Sequence, residues 1–142
     1  GRIKEIIIIG GMNHYPQDIE STVAGIDDRL RQGGCAAFAM EEKKVEKLAI
    51  VVEIDRKLAG LGPDAPDLKE LIHQIERRVW DTHDVVASCI ALVRPATLPR
   101  TTSGKIQRLS CRNMMETGSL KIVAAKKAGI NMLRRVNMHD NM

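Results

Sequence analysis

Leu98-Pro99-Arg100-Thr101-Thr102-Ser103-Gly104-Lys105-Ile106-Gln107-Arg108 is the stretch on which the reading of this chain turns. It places one lysine directly after a glycine, on a segment rich in hydroxyls, where the ammonium can reach an anion. A phosphate loop of the Walker type is the first arrangement to test. Pro99 stands where that loop needs its first glycine, and Ile106 stands where it needs a serine or threonine, so the test fails.

Upstream, Val85 to Val93 is an apolar run that reads as a strand covered on both faces. Before it, Leu68, Leu71, Ile72, Ile75 and Val79 recur at helical spacing, with Asp67 as cap and Glu70 three residues on. Leu58 to Pro66 carries Gly60, Gly62, Pro63 and Pro66 and reads as a loop. Cys35 to Met40 and Leu48 to Ile54 flank a charged stretch and predict an antiparallel pair. Pro16 suits the first position of a helix whose inner face holds Ile19, Val23 and Ile26, and Asp18 and Glu20 complement its dipole. Ile6 to Ile9, closed by Gly10-Gly11, predicts a short buried strand and a tight turn.

Downstream, a short helix from about Gln107 can end at Gly118. Ile122, Ala125, Gly129, Met132, Leu133 and Val136 would line one face of a final helix, although Gly129 costs roughly 1 kcal/mol there relative to alanine. The pattern as a whole predicts an α+β fold: a small mixed sheet flanked by helices, with an N-terminal β-hairpin.

Composition narrows the function classes. Aromatic residues make up only 2% of the chain, which disfavours a base-stacking nucleic-acid platform. The formal charge of +4 resides beyond Gly118, where Lys121, Lys126, Lys127, Arg134 and Arg135 face a single acid, Asp140. The first 118 residues are therefore neutral, and nucleic acid is not an expected partner. Cys35, Cys89 and Cys111 are odd in number and widely spaced, which suits buried thiols in a reducing cytoplasm rather than a disulfide framework. His14, His73, His83 and His139 share no ligand spacing with one another or with a cysteine or carboxylate cluster, so no metal is expected, and surface or capping roles are. Trp80 and Tyr15 are isolated rings expected to pack. No apolar run approaches the ~20 residues a spanning helix needs.

The Leu98–Arg108 stretch resembles the closing motif of the adenylate-forming superfamily, which includes acyl-CoA synthetases, nonribosomal adenylation domains and fatty acyl-AMP ligases. Pro99, Arg100, Thr101, Ser103, Gly104, Lys105, Ile106 and Arg108 match that motif. A second resemblance lies about a hundred residues earlier and in the right order: Gly1-Arg2-Ile3-Lys4-Glu5, the following strand, Gly10-Gly11 and Pro16 to Glu20 look like the motif at the boundary between the family's large and small domains. Asn13 to Glu20 looks most like the fatty acyl-AMP ligase branch, although Gly10-Gly11-Met12 stands where that branch usually carries basic residues.

The resemblance covers roughly Gly1 to Gly118 and implies the mobile C-terminal domain of such a ligase; it says nothing of residues 119–142, whose charge and apolar spacing predict a basic amphipathic tail, helical and dispensable to the core. It implies that Lys105 is the catalytic lysine, donating as carboxylate meets the α-phosphate of ATP. Thr101, Ser103 and Gly104 would support its loop, Lys4 would be the hinge, and Arg2 would contact the nucleotide ribose. Gly10 and Gly11 would lie on the face that meets the acceptor thiol. The implied partners are the large N-terminal domain, which would bind Mg with ATP and the fatty acid, and an acyl carrier protein whose phosphopantetheine accepts the acyl group. A chain that starts at the hinge motif without Met is expected to be a piece of a longer protein, and inactive alone. Coenzyme A as acceptor, or a docking module without turnover, are the alternatives.

Overall fold

The computed structural model describes residues 5–127. The fold is α+β, built from a two-stranded hairpin and a separate four-stranded mixed sheet flanked by helices. In the hairpin, β1 (Ile7–Ile9) pairs antiparallel with β2 (Met12–His14). Gly10 and Gly11, at φ of 58° and 77°, make the two-residue turn, and positive φ at both positions is what the right-handed twist of the paired strands demands. The apolar run of β1 is buried at Ile7 alone of its flanks, whereas Ile8 is half exposed, so this strand is a surface ribbon rather than the buried strand expected.

α1 (Pro16–Ala24) follows, with Pro16 in its first turn as the sequence predicts. β3 (Leu30–Glu42) and β4 (Val45–Ile54) form the expected antiparallel pair, interrupted by a bulge between Leu30 and Cys35. The chain then crosses over through α2 (Arg56–Ala59) and α3 (Pro66–His83) to β5 (Ala87–Val93), which runs parallel to β4. A parallel neighbour requires such a crossover. Part of the stretch expected to be loop is thus helical: the Asp55 carboxylate accepts from the Leu58 amide at 2.9 Å and starts α2. Helix α3 begins one residue before the expected cap, with Ala65 as N-cap, Pro66 in the first turn and Asp67 inside it.

α4 (Arg108–Thr117) ends at Gly118 in the left-handed conformation, φ 74°, as read from the sequence. The final helix does not form where it was expected to begin. Ile122–Lys127 is instead β6, antiparallel to β5 and completing the sheet order β3-β4-β5-β6. Ala124 of β6 is buried in the core, so the residues just past Gly118 complete the sheet rather than trail from it. The remainder of the expected helix lies outside the described residues.

Strand alternation divides the core. Leu48, Ile50, Val52 and Ile54 pack with Ile19 and Val23 of α1 and Leu68, Leu71, Ile72, Ile75 and Val79 of α3. Ala49 and Val51 face the opposite way, with Ala36, Phe38, Cys89, Leu98 and the Cys111 and Met115 side chains of α4. Cover on both faces explains the continuous apolar runs of β4 and β5. The same alternation puts Glu53 on the α4 side, fully buried. All three cysteines are buried, as expected. Trp80 and Tyr15 are not packed rings: both are about half exposed, at 49% and 48%. Among the described residues no helix is long and apolar enough to cross a membrane.

Candidate functional site

The motif loop is itself a small hairpin. Arg100 and Ile106 form an antiparallel bridge, the Thr101 amide donates to the Lys105 carbonyl at 2.8 Å, and the Gln107 amide donates to the Pro99 carbonyl at 2.9 Å. At the tip, the Gly104 amide donates to the Thr101 carbonyl at 2.9 Å, with Gly104 at φ 89°, a conformation that favours glycine. The Lys105 amide donates to the Thr101 hydroxyl at 3.1 Å, and the Thr101 and Ser103 hydroxyls lie 3.0 Å apart. Thr101, Ser103 and Gly104 are thus brought together around Lys105. Lys105 is exposed, and among the described residues no hydrogen bond or ion pair engages its ammonium.

Each foot of this hairpin is fastened by an arginine. At the first, Arg100 donates through Nη2 to Glu53 Oε1 at 2.9 Å and through Nη1 to Glu53 Oε2 at 3.3 Å. At the second, Arg108 donates through Nε and Nη2 to the two carboxylate oxygens of Glu20, both at 2.7 Å, and through Nη1 to Glu5 Oε2 at 2.6 Å. Glu20 also accepts from the Ala37 amide at 2.8 Å. Hydrogen bonds to Glu20 hold the Arg108 guanidinium above its ordinary range, with burial opposing and Glu5 reinforcing. Forked pairs of this kind fix direction as well as distance.

Lys105, Thr101 and Arg108 line an open cleft of about 940 Å³ with Glu5, Gln17 and Glu20. Its base includes Cys35, whose thiol burial pushes well above the usual range; burial likewise pushes Cys111 up to about 12. Buried thiols held in the protonated form are poor nucleophiles near neutral pH. Glu5, Glu20 and Glu53 are each occupied by an arginine, and among the described residues no group of His, Cys, Asp or Glu is arranged to hold a metal ion. Of the two cations among the described residues that line this cleft, Arg108 is paired with carboxylates and the Lys105 ammonium is not.

Gly10 and Gly11 sit at the tip of the β1–β2 hairpin, with nothing within 4 Å of where a Cβ would stand. Lys4 and Arg2 lie outside the described residues. The three carboxylates that fasten the loop were not read from the sequence as its partners. For Glu53 a signal existed: it is the only charge in the apolar run Leu48–Ile54, and a carboxylate in such a strand needs a counter-charge.

The model of a family described as Disco-interacting protein 2-like, AMP domain, matches residues 4–125. The chain belongs to this AMP-domain family. Family relatives by sequence include the medium-chain fatty-acid acyl-carrier-protein ligase JamA of Moorena producens, 42% identical over 84% of this chain and 20% of that protein. The long-chain fatty-acid AMP ligase FadD26 of Mycobacterium marinum is 35% identical over 78% of this chain and 18% of its own length. Among solved structures, the fatty acid AMP ligase of Legionella pneumophila is 31% identical with a TM-score of 0.65, over 80% of this chain and 19% of that one. The AMP-domain chain thus spans about a fifth of the length of these relatives. Its α+β architecture is that of the small domain of adenylate-forming enzymes.

Proposed function

We propose that this AMP-domain chain is the mobile C-terminal domain of a fatty acyl-AMP ligase, and that Lys105 acts in the adenylation half-reaction. The observation that carries this reading is a free ammonium at the end of a hairpin whose two feet are clamped by Arg100–Glu53 and Arg108–Glu20. In adenylation a fatty-acid carboxylate attacks the α-phosphate of ATP, forming acyl-AMP and releasing pyrophosphate. Two anions approach, and a preplaced cation donating to both lowers the barrier as charge builds. Lysine suits the task as a compact charge on a flexible stem.

The second half-reaction passes the acyl group from acyl-AMP to a thiol. We assign the acceptor as the phosphopantetheine of an acyl carrier protein, a reading supported by the likeness to an acyl-carrier-protein ligase. Between the steps the domain turns about Lys4, so that the Gly10–Gly11 tip replaces the Lys105 loop at the reaction centre; Arg2 contacts the ribose. The open space around the tip lets a pantetheine arm pass close to backbone. The large domain supplies the fatty-acid pocket, most of the ATP site and Mg; among the described residues, the carboxylates that line the cleft with Lys105, Glu5 and Glu20, are both paired with Arg108. The setting is cytoplasmic, and the chain alone turns nothing over.

The test uses the parent enzyme. Lys105→Ala is expected to cut ATP–pyrophosphate exchange about 100-fold to 1,000-fold while sparing transfer from pre-formed acyl-AMP. Equal loss in both steps, or intact exchange, removes Lys105 from the adenylation role. Lys4→Pro is expected to spare exchange and slow transfer, because it restricts the hinge φ.

A further inference from the structure

Glu53 is a buried carboxylate with no exposure at all, on a strand whose other residues from Leu48 to Ile54 are apolar. Such a group persists only if its oxygens are occupied. Oε2 accepts from the Leu98 amide at 2.9 Å and from Arg100 Nη1 at 3.3 Å, and Oε1 accepts from Arg100 Nη2 at 2.9 Å. Arg31 Nε stands 3.9 Å from Oε1. Arg100 in turn donates to the Gly33 carbonyl at 3.2 Å and to the Leu98 carbonyl at 3.3 Å.

This network unites three segments: the β3 bulge, the centre of the sheet and the first foot of the Lys105 hairpin. The bulge is shaped around it. A Cβ at Gly34 would come within 2.8 Å of Glu53 Oε1, so glycine leaves the carboxylate its place. Stability alone gives little reason for the arrangement, because an apolar pair of similar volume commonly holds a core as well as a buried ion pair does. Direction gives a better one. A forked guanidinium on a fixed carboxylate sets where Arg100 lies and which way the chain leaves it, five residues before Lys105.

We propose that Glu53 is a positioning residue for adenylation, acting through Arg100 and the Leu98 amide to aim the hairpin that presents Lys105. The inference rests on the reading of Lys105 as the adenylation lysine. Glu53 touches no substrate; it acts by removing freedom at the foot of the loop. A displacement of about 1 Å at a reacting group is enough to slow a reaction about 100-fold.

The experiment measures both half-reactions in the parent ligase. Glu53→Gln keeps the shape and an acceptor for Leu98 but drops the charge. It is expected to lower kcat for ATP–pyrophosphate exchange about tenfold to 100-fold, with KM for ATP within about twofold and transfer from pre-formed acyl-AMP unchanged. Arg100→Lys, which keeps charge without the fork, is expected to fall between wild type and Glu53→Gln. The double variant Glu53→Met with Arg100→Met separates aiming from folding, and it carries the test should Glu53→Gln fail to fold. Its thermal stability is expected to exceed that of Glu53→Met alone, although the Leu98 amide loses its acceptor, while exchange stays low. Recovery of exchange along with stability in the double variant overturns the proposal, as does equal slowing of both half-reactions by Glu53→Gln. Lys105→Ala run alongside distinguishes the two failures: if it slows exchange while the Glu53 variants do not, only the positioning role falls; if it leaves exchange intact, the reading of Lys105 falls first.

Discussion

The turn at Gly10-Gly11 and the turn at Thr101–Gly104 are both tight reversals between short antiparallel arms, yet the domain holds them by opposite means. The first relies on backbone: three paired positions, Ile7 with His14, Ile8 with Asn13 and Ile9 with Met12, two glycines at positive φ, and one buried pair at its base, Ile7 and His14. The second relies on charge at its feet, with a single bridged pair and an arginine fork on each side. A backbone-specified turn is a local object that can keep its shape without help from the rest of the domain. A charge-clamped loop is aimed relative to the sheet and to α1, which is what the role proposed for Lys105 requires.

The largest effect that would test this contrast comes from Arg108→Ala, which strands Glu20 and Glu5 without their shared partner. Its side chain is only 15% exposed, so a loss of about 3 kcal/mol in urea unfolding is expected, the lower end for breaking a buried pair. A loss under about 1 kcal/mol would place Arg108 with ordinary surface ion pairs and dissolve the contrast. Next comes the glycine turn. Gly11→Val is expected to cost about 1–2 kcal/mol, because the side chain meets no neighbour and the penalty is that of the left-handed backbone alone. Gly11→Asn sharpens the point: asparagine tolerates that conformation, and most of the loss is expected to be recovered. Equal losses for the two substitutions would show that something other than φ is at work.

The smallest effect concerns the side of α1 that faces α3. His83 Nε2 lies 2.7 Å from the Thr22 hydroxyl, and burial lowers the imidazole pKa from its ordinary 6.5, with nearby His14 adding to the shift and Asp18 opposing it. Because the folded value is the lower one, the unfolded chain binds more protons between the two. This contribution to stability is complete above about pH 6.5 and is lost as pH falls through the depressed value. Thermal unfolding followed from pH 7.5 to 5 is expected to show a shallower acid loss for His83→Gln than for wild type. Coincident slopes would mean that His83 titrates alike folded and unfolded.

What the sequence disclosed follows from how local each signal is. The pairing of β3 with β4, the run of α3 and the cap at Gly118 were legible because periodicity and glycine chemistry act within a few residues. The loop bearing Lys105 was legible because its motif is contiguous. β6 was not: Ile122, Ala125 and Gly129 fit a helical stripe as well as Ile122–Lys127 fits an edge strand, and only the open edge of β5 decides between them. The clamps were not legible either, since Arg108 lies 88 residues from Glu20 and 103 from Glu5. Spacing along a chain carries no trace of such a partnership.

The buried cysteines have a practical consequence. Burial pushes Cys89 and Cys111 up to about 12 and Cys35 well above its ordinary value, which leaves almost no thiolate near neutral pH to react with a maleimide. The native chain is therefore a nearly silent background for site-specific labelling. A single cysteine introduced at exposed Ser103 would take one fluorophore at the tip of the Lys105 hairpin, and a second label on the large domain of the proposed parent ligase would test the proposed swing as a distance followed one molecule at a time.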